Sequence, residues 1–169
     1  MIYFFHSVGI LLFAISTAVA QPDRLIPFQI KDQFDRKYTE QHFLGKVVVL
    51  VGSDRDGSPF NEIWAVAIRD SLKDHEYFDK LFFAGLSDLR GVPFFLKGFV
   101  RGKFPKEKQR WVLMDWKGKI PQAYGFRKQA SNVLVFDAEG KLVHRTSGRE
   151  PEQAKLDAIL AVLRKILTE

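Results

Sequence analysis

Two carboxylates and a hydroxyl, Asp54, Asp56 and Ser58, alternate along the loop Gly52-Ser53-Asp54-Arg55-Asp56-Gly57-Ser58-Pro59. Oxygen donors at this spacing could hold a hard cation, and Asp-x-Asp-Gly is part of a calcium-loop pattern. The rest of that pattern is missing, because position 52 is Gly and the late glutamate position is Ile63. The local reading is stronger. Ser58 reads as the cap of a following helix, Pro59 fits the first turn, and Asp56 would lie at the helix's positive end. No metal is assigned.

Other catalytic groups are sparse. Beyond residue 20 the histidines are His42, His75 and His144, and none lies in a His-x-x-x-His or His-Glu pair. There is no Gly-x-Ser-x-Gly elbow and no phosphate loop. His144 reads as a half-buried strand residue, and a Ser58–His144 pair has no support from spacing. The chain contains no cysteine. Thiol–disulfide exchange and thiol peroxidation need a thiolate nucleophile, so both are excluded, as are disulfides, thiolate zinc sites and lipid attachment through cysteine. No catalytic residue and no cofactor is assigned.

Charge gives a second candidate. Net charge is +6, and Lys97, Arg101, Lys103, Lys106, Lys108 and Arg110 stand against one acid, Glu107, in residues 97–110. Phe99, Phe104 and Trp111 interleave with them. Basic residues mixed with aromatics suit a polyanion, an anionic membrane surface or an acidic protein, with a solvated connector as the plain alternative.

These groups must be positioned by a folded body. Hydrophobic residues make up 46% and charged residues 27% of the 169 residues, and sixteen Phe and three Trp supply bulky core material. That is enough for one domain with its own core. Residues 1–20 are read as separate from it. Ile2 to Val19 carries no Lys, Arg, Asp or Glu, is apolar from Val8 to Ile15, and runs into Ala18-Val19-Ala20. This is the layout of a signal peptide cut after Ala20, leaving residues 21–169 as the mature domain. The alternative is an uncleaved membrane anchor, although the apolar stretch is short against the roughly 20 residues of a bilayer span. Either way the domain is placed outside the cytoplasm, periplasmic or secreted, where nucleic acid is not an expected partner.

Within residues 21–169, Leu25–Ile30 reads as a short strand, with a polar stretch from Lys31 to Glu40 after it. Val47–Val51 and Leu81–Leu86 read as strands buried on both faces, the parallel-sheet kind. Phe60–Leu72 reads as a helix with Ile63, Ala67 and Ile68 at helical spacing, beside Trp64 and Leu72. Residues 92–104 could hold another helix, weakened by two glycines. Trp111–Met114 is a third strand. Asn132–Phe136 and Lys141–His144 form a hairpin across Asp137–Gly140. Pro151–Leu167 is a helix with Leu156, Ile159, Leu160, Leu163 and Leu167 on one stripe. This order predicts an α/β fold, a central mixed sheet with parallel strands and a C-terminal antiparallel hairpin, flanked by helices.

Several strings make the chain similar to the thioredoxin-like superfamily, in its secreted redoxin or peroxiredoxin-like branch. They are Phe28-x-x-x-Asp32-x-x-x-Arg36 with Gly45-Lys46-Val47-Val48-Val49-Leu50, Asp115-Trp116-Lys117-Gly118-Lys119 with Ala123-Tyr124-Gly125, and Val133 to Gly148 with Asp137-x-Glu139-Gly140-Lys141. The resemblance covers residues 25–167. It implies a redox centre after the first buried strand, where this chain has Asp54, Asp56, Gly57, Ser58 and Pro59 instead of cysteines. It also implies a cis-proline before the hairpin, where this chain reads Ala130-Ser131-Asn132-Val133. The cis bond is essentially a proline feature, so Ser131 and Asn132 mark a second departure.

The sequence reading is therefore a domain of thioredoxin-like fold without thiol activity, which acts by binding a protein or an anionic envelope component. The alternatives are an enzyme or ligand-binding protein using non-thiol groups of residues 53–59, a partner-holding redox accessory, or a redoxin label resting on the resemblance alone.

Overall fold

The seven residues from Val47 to Ser53 are all buried, and the fold is organised around them. Side chains of a strand alternate between its faces, so an unbroken apolar run needs cover on both. Val47, Val49 and Val51 face one core with Trp64, Ile68 and Leu72. Val48 and Leu50 face the other, with Phe28, Phe43, Ile120 and Tyr124. The structure, a computed structural model, describes residues 21–168, and the signal-peptide reading lies outside them.

The strands are β1 (Gln29–Lys31), β2 (Lys37–Thr39), β3 (Val47–Ser53), β4 (Leu81–Asp88), β5 (Val112–Asp115), β6 (Ser131–Phe136) and β7 (Leu142–Gly148). The helices are α1 (Pro59–Leu72), α2 (Lys97–Arg101), α3 (Lys119–Ala123) and α4 (Gln153–Leu167). The main sheet has the order β5-β4-β3-β6-β7. β3, β4 and β5 run parallel, while β6 and β7 are antiparallel additions. The expected mixed sheet with its C-terminal hairpin is what the chain forms.

α1 and α4 cover one face. In α1 the buried residues are Trp64, Ile68 and Leu72, one turn apart, and the Trp64 indole N–H donates to the Gly148 carbonyl at 3.0 Å. Ile63 is turned to solvent instead of joining that stripe. In α4, Ile159, Leu160, Leu163 and Leu167 are buried, with Leu156 half-buried against the same core. On the opposite face the Tyr124 hydroxyl donates to the Arg24 carbonyl at 2.6 Å and accepts the Ile26 N–H at 3.0 Å. Burial of this phenol pushes its pKa up to about 12.

Three expectations are corrected. The first strand is limited to Gln29–Lys31, and it pairs with β2, which rises from the stretch expected to be a polar connector. That stretch is held by Asp32, which is fully buried. Its carboxylate accepts the Phe34 and Arg36 N–H groups at 2.9 Å and pairs with the Arg36 guanidinium at 2.6 Å. Residues 92–104 hold only a 3-10 turn at Phe94–Leu96 and the five-residue α2. Gly98 and Gly102 lower helix propensity there, and Phe94, Phe95, Leu96 and Phe99 have no core to pack on.

Register sets where the candidate residues lie. β3 and β4 end together, with Ser53 opposite Ser87, and Gly52 faces Asn132 at the start of β6. The loop after β3, the loop before β6 and the long connection after β4 therefore leave the same end of the sheet. In open α/β sheets, crevices outside the carboxyl ends of the strands are the usual binding places.

Candidate functional site

The loop after β3 and the loop before β6 close on each other. The Asp54 carboxylate accepts the Gly57 N–H at 2.9 Å and, across the gap, the Gln129 N–H at 3.1 Å. Gln129 has φ 57, a left-handed conformation unfavourable for a residue with a Cβ, and its bond to Asp54 helps hold it. Gly57 lies directly against Ala130. A methyl group at position 57 would come within 2.8 Å of the Ala130 backbone N and C, and nearer still to its carbonyl oxygen. A glycine is required by this approach, whatever its φ.

Asn132 fastens the second loop from beneath. Its Oδ1 accepts the Arg127 N–H at 2.7 Å, and its amide donates to the Arg127 carbonyl at 2.9 Å and the Ala130 carbonyl at 3.1 Å. Ser131 is fully buried beside it. No cis peptide bond occurs among the described residues, so the loop keeps its course here by side-chain hydrogen bonds. Ser53 joins the corner, with its Oγ donating to the Asp54 carbonyl at 2.8 Å and accepting from the Asn61 amide at 2.9 Å.

One local expectation changes. The Ser58 side chain does not cap α1 but donates to the Arg55 carbonyl at 2.7 Å, while Pro59 does occupy the first turn. The carboxylate that organises the loop is Asp54, and Asp56 is exposed. Among the described residues, no three His, Asp or Glu side chains gather into a metal set. His144 pairs with Val135 on β7, three residues down the strand from the Asn132–Ser147 pair, so the fold does not bring it to Ser58. Burial lowers the pKa of this imidazole. An open cleft of about 380 Å³ lies beside the corner, with Arg127, Lys128, Arg149 and Lys155 among its walls. Two of these cations are already engaged: Lys155 pairs with Glu152 at 2.8 Å, and Arg149 donates to the Gln129 carbonyl at 3.4 Å.

The connection between β4 and β5 has the opposite character. Its base is pinned. The buried Gln33 amide donates to the Arg110 carbonyl at 2.9 Å and the Pro105 carbonyl at 3.3 Å, and its Oε1 accepts the Val112 N–H at 2.8 Å. Trp111 turns inward and stacks on Tyr38 at 4.6 Å between ring centroids. Of the six basic residues singled out by sequence, two form ion pairs. Arg101 pairs with Asp35 at 2.6 Å, and Arg110 pairs with Glu62 at 3.2 Å. Lys97, Lys103, Lys106 and Lys108 make no ion pair among the described residues.

The outer part of this segment shows apolar side chains to water. Phe94 is 85% exposed, Phe95 81%, Phe99 65% and Leu96 40%. Scattered exposed apolar residues are ordinary, but four large ones within six positions are not. Each of two lysines sits against one of these rings. The Lys97 ammonium lies 5.6 Å from the Phe94 ring and 5.2 Å from the Trp116 ring, and Lys103 lies 4.8 Å from Phe99. The sequence reading found Phe99 and the lysines but passed over Phe94, Phe95 and Leu96. The signal was present: Val92-Pro93-Phe94-Phe95-Leu96, between Gly91 and Lys97, is an apolar run too short for a helix stripe.

No protein-family model matches the sequence, and no curated protein matches it. Solved structures do match in shape. The pneumococcal exposed lipoprotein thioredoxin Etrx1 from Streptococcus pneumoniae is 23% identical, with 83% of this chain and 99% of that one covered at a TM-score of 0.59. A protein described as thiol:disulfide interchange protein DsbE from Chlorobium tepidum is 16% identical, covering 89% and 99% at 0.61. Copper-bound Sco1 from yeast is 17% identical, covering 86% and 95% at 0.60. With the sheet order and the hairpin described above, these likenesses establish that the chain has the thioredoxin-like fold.

Proposed function

We propose that this chain is a thioredoxin-like domain outside the cytoplasm that has no thiol chemistry and works by binding an anionic partner through the segment from Pro93 to Arg110. The absence of cysteine removes the nucleophile on which disulfide exchange depends, so an oxidoreductase assignment from fold alone has no chemistry behind it. The extracytoplasmic placement rests on residues 1–20 and their small-x-small end at Ala18-Val19-Ala20. Residues 54–59, 131 and 132 are read as the places of a lost redox centre and a lost proline turn.

One observation carries the binding reading: Lys97, Lys103, Lys106 and Lys108, which make no ion pair among the described residues, stand on a segment from Gly91 to Arg110 whose one carboxylate is Glu107. Ligand use by the loop 53–59 is disfavoured, since the Asp54 carboxylate and Ser58 hydroxyl both satisfy backbone groups. The test is retention on immobilised heparin. The quadruple variant Lys97→Glu, Lys103→Glu, Lys106→Glu, Lys108→Glu should elute at distinctly lower salt, whereas Asp56→Ala should elute slightly later than wild type. Equal elution of the quadruple variant and wild type would overturn the reading. Arg101 is left intact because it anchors the segment to Asp35.

A further inference from the structure

Resting on that binding reading, we propose that the anionic partner is a phospholipid bilayer, entered at its headgroup level by Phe94, Phe95, Leu96 and Phe99. All four side chains are exposed, and no apolar core covers them. Cations accompany them at close range, Lys97 beside Phe94 and Lys103 beside Phe99, with Lys106 and Lys108 exposed just beyond. Rings that enter an interface while flexible ammonium groups reach for phosphates is the arrangement by which peripheral proteins hold anionic lipid.

Charge complementarity sets the lipid class. Each lysine near an anionic surface strengthens attachment by about fivefold, and a ring transferred from water adds about tenfold. Rings and cations together give stable attachment where either alone is marginal. The segment is also held for such a role: Gln33 fixes its base, and Arg101 ties its short helix to Asp35.

The absence of cysteine makes the test local. In residues 21–169, which leave out the apolar stretch from Val8 to Ile15, Phe95→Cys carries the only thiol and takes a polarity-sensitive dye; Asp157→Cys, at an exposed position of α4, carries it as a control. Vesicles of phosphatidylglycerol and phosphatidylcholine should shift the emission at position 95 to the blue and leave position 157 unchanged. The four-lysine reversal should weaken partitioning on the order of a hundredfold or more. Phe94→Ser with Phe99→Ser should weaken it about a hundredfold, while retention on heparin stays. A silent dye at position 95, an equal shift on pure phosphatidylcholine, or a shift that survives the lysine reversal overturns the bilayer proposal. Should the dye stay silent while heparin retention still depends on the lysines, the anion-binding function stands with an acidic protein as its partner. If heparin retention is also insensitive, both readings fall. Self-association in vesicle-free solution that Phe94→Ser and Phe99→Ser abolish would assign the patch to a second copy and overturn the proposal.

Discussion

Two regions at the same end of the sheet differ in how their chemistry is used. At the corner between residues 53–59 and 127–132, the polar side chains Asp54 and Asn132 are turned onto backbone groups, and Gly57 removes the space between the loops. Across the sheet, residues 93–108 hold lysines with no ion pair among the described residues and rings exposed to water. The corner spends its carboxylate and the Asn132 carboxamide on its own backbone and leaves only two buried atoms, Ser131 Oγ and Asn61 Oδ1, without a partner among the described residues, so it is a structural joint, however much its position suggests a reactive centre. A segment that exposes apolar surface has an unmet demand, and function is sought where the demand is unmet.

Substitutions can break or sharpen this contrast. The largest effect is expected at Gly57→Ala, where the added methyl must push the two loops apart. Overpacking against backbone should cost about 2 to 3 kcal/mol, read as a lowered denaturant midpoint, and a neutral result would mean that the joint is loose. Asp54→Ala comes next. It leaves the Gly57 and Gln129 N–H groups without their acceptor and should cost about 1 to 2 kcal/mol, with faster amide exchange at both positions. On the other side of the comparison, Phe94→Ser with Phe99→Ser should change stability by no more than about 0.5 kcal/mol. A larger loss in thermal unfolding would show that these rings support the fold and are not held ready for a partner.

Much of the fold was legible because its signals are local and strong. Val47–Val51 reads as a strand covered on both faces because it is short, β-branched and preceded by Gly45, and the α4 stripe has one period. β2 escaped notice because Lys37-Tyr38-Thr39 is short and half polar, and its place is decided by Asp32, whose burial is a tertiary fact. The helix expected over residues 92–104 failed for a related reason, since apolar content there has no core to meet. At the candidate sites the sequence supplied residue types but not their engagements. Nothing in Asp54-x-Asp56 tells which carboxylate will turn toward Gln129, a residue 75 positions away. Nor does a list of six cations reveal that Arg101 and Arg110 are the two that pair with carboxylates. Partner choice between distant residues is set by sheet register, and register emerges only when the sheet is assembled.

The contact between Lys97 and Trp116 has an optical consequence. Of the three tryptophans, Trp64 is sealed in the core and Trp111 is stacked on Tyr38, while Trp116 is half-buried with an ammonium 5.2 Å from its ring. A cation beside an indole alters its emission, so any ligand that draws Lys97 away rewrites the fluorescence of one chromophore and leaves the other two as an internal reference. The unlabelled protein thus carries its own indicator of occupancy, and Trp116→Phe is the blank against which that signal is read.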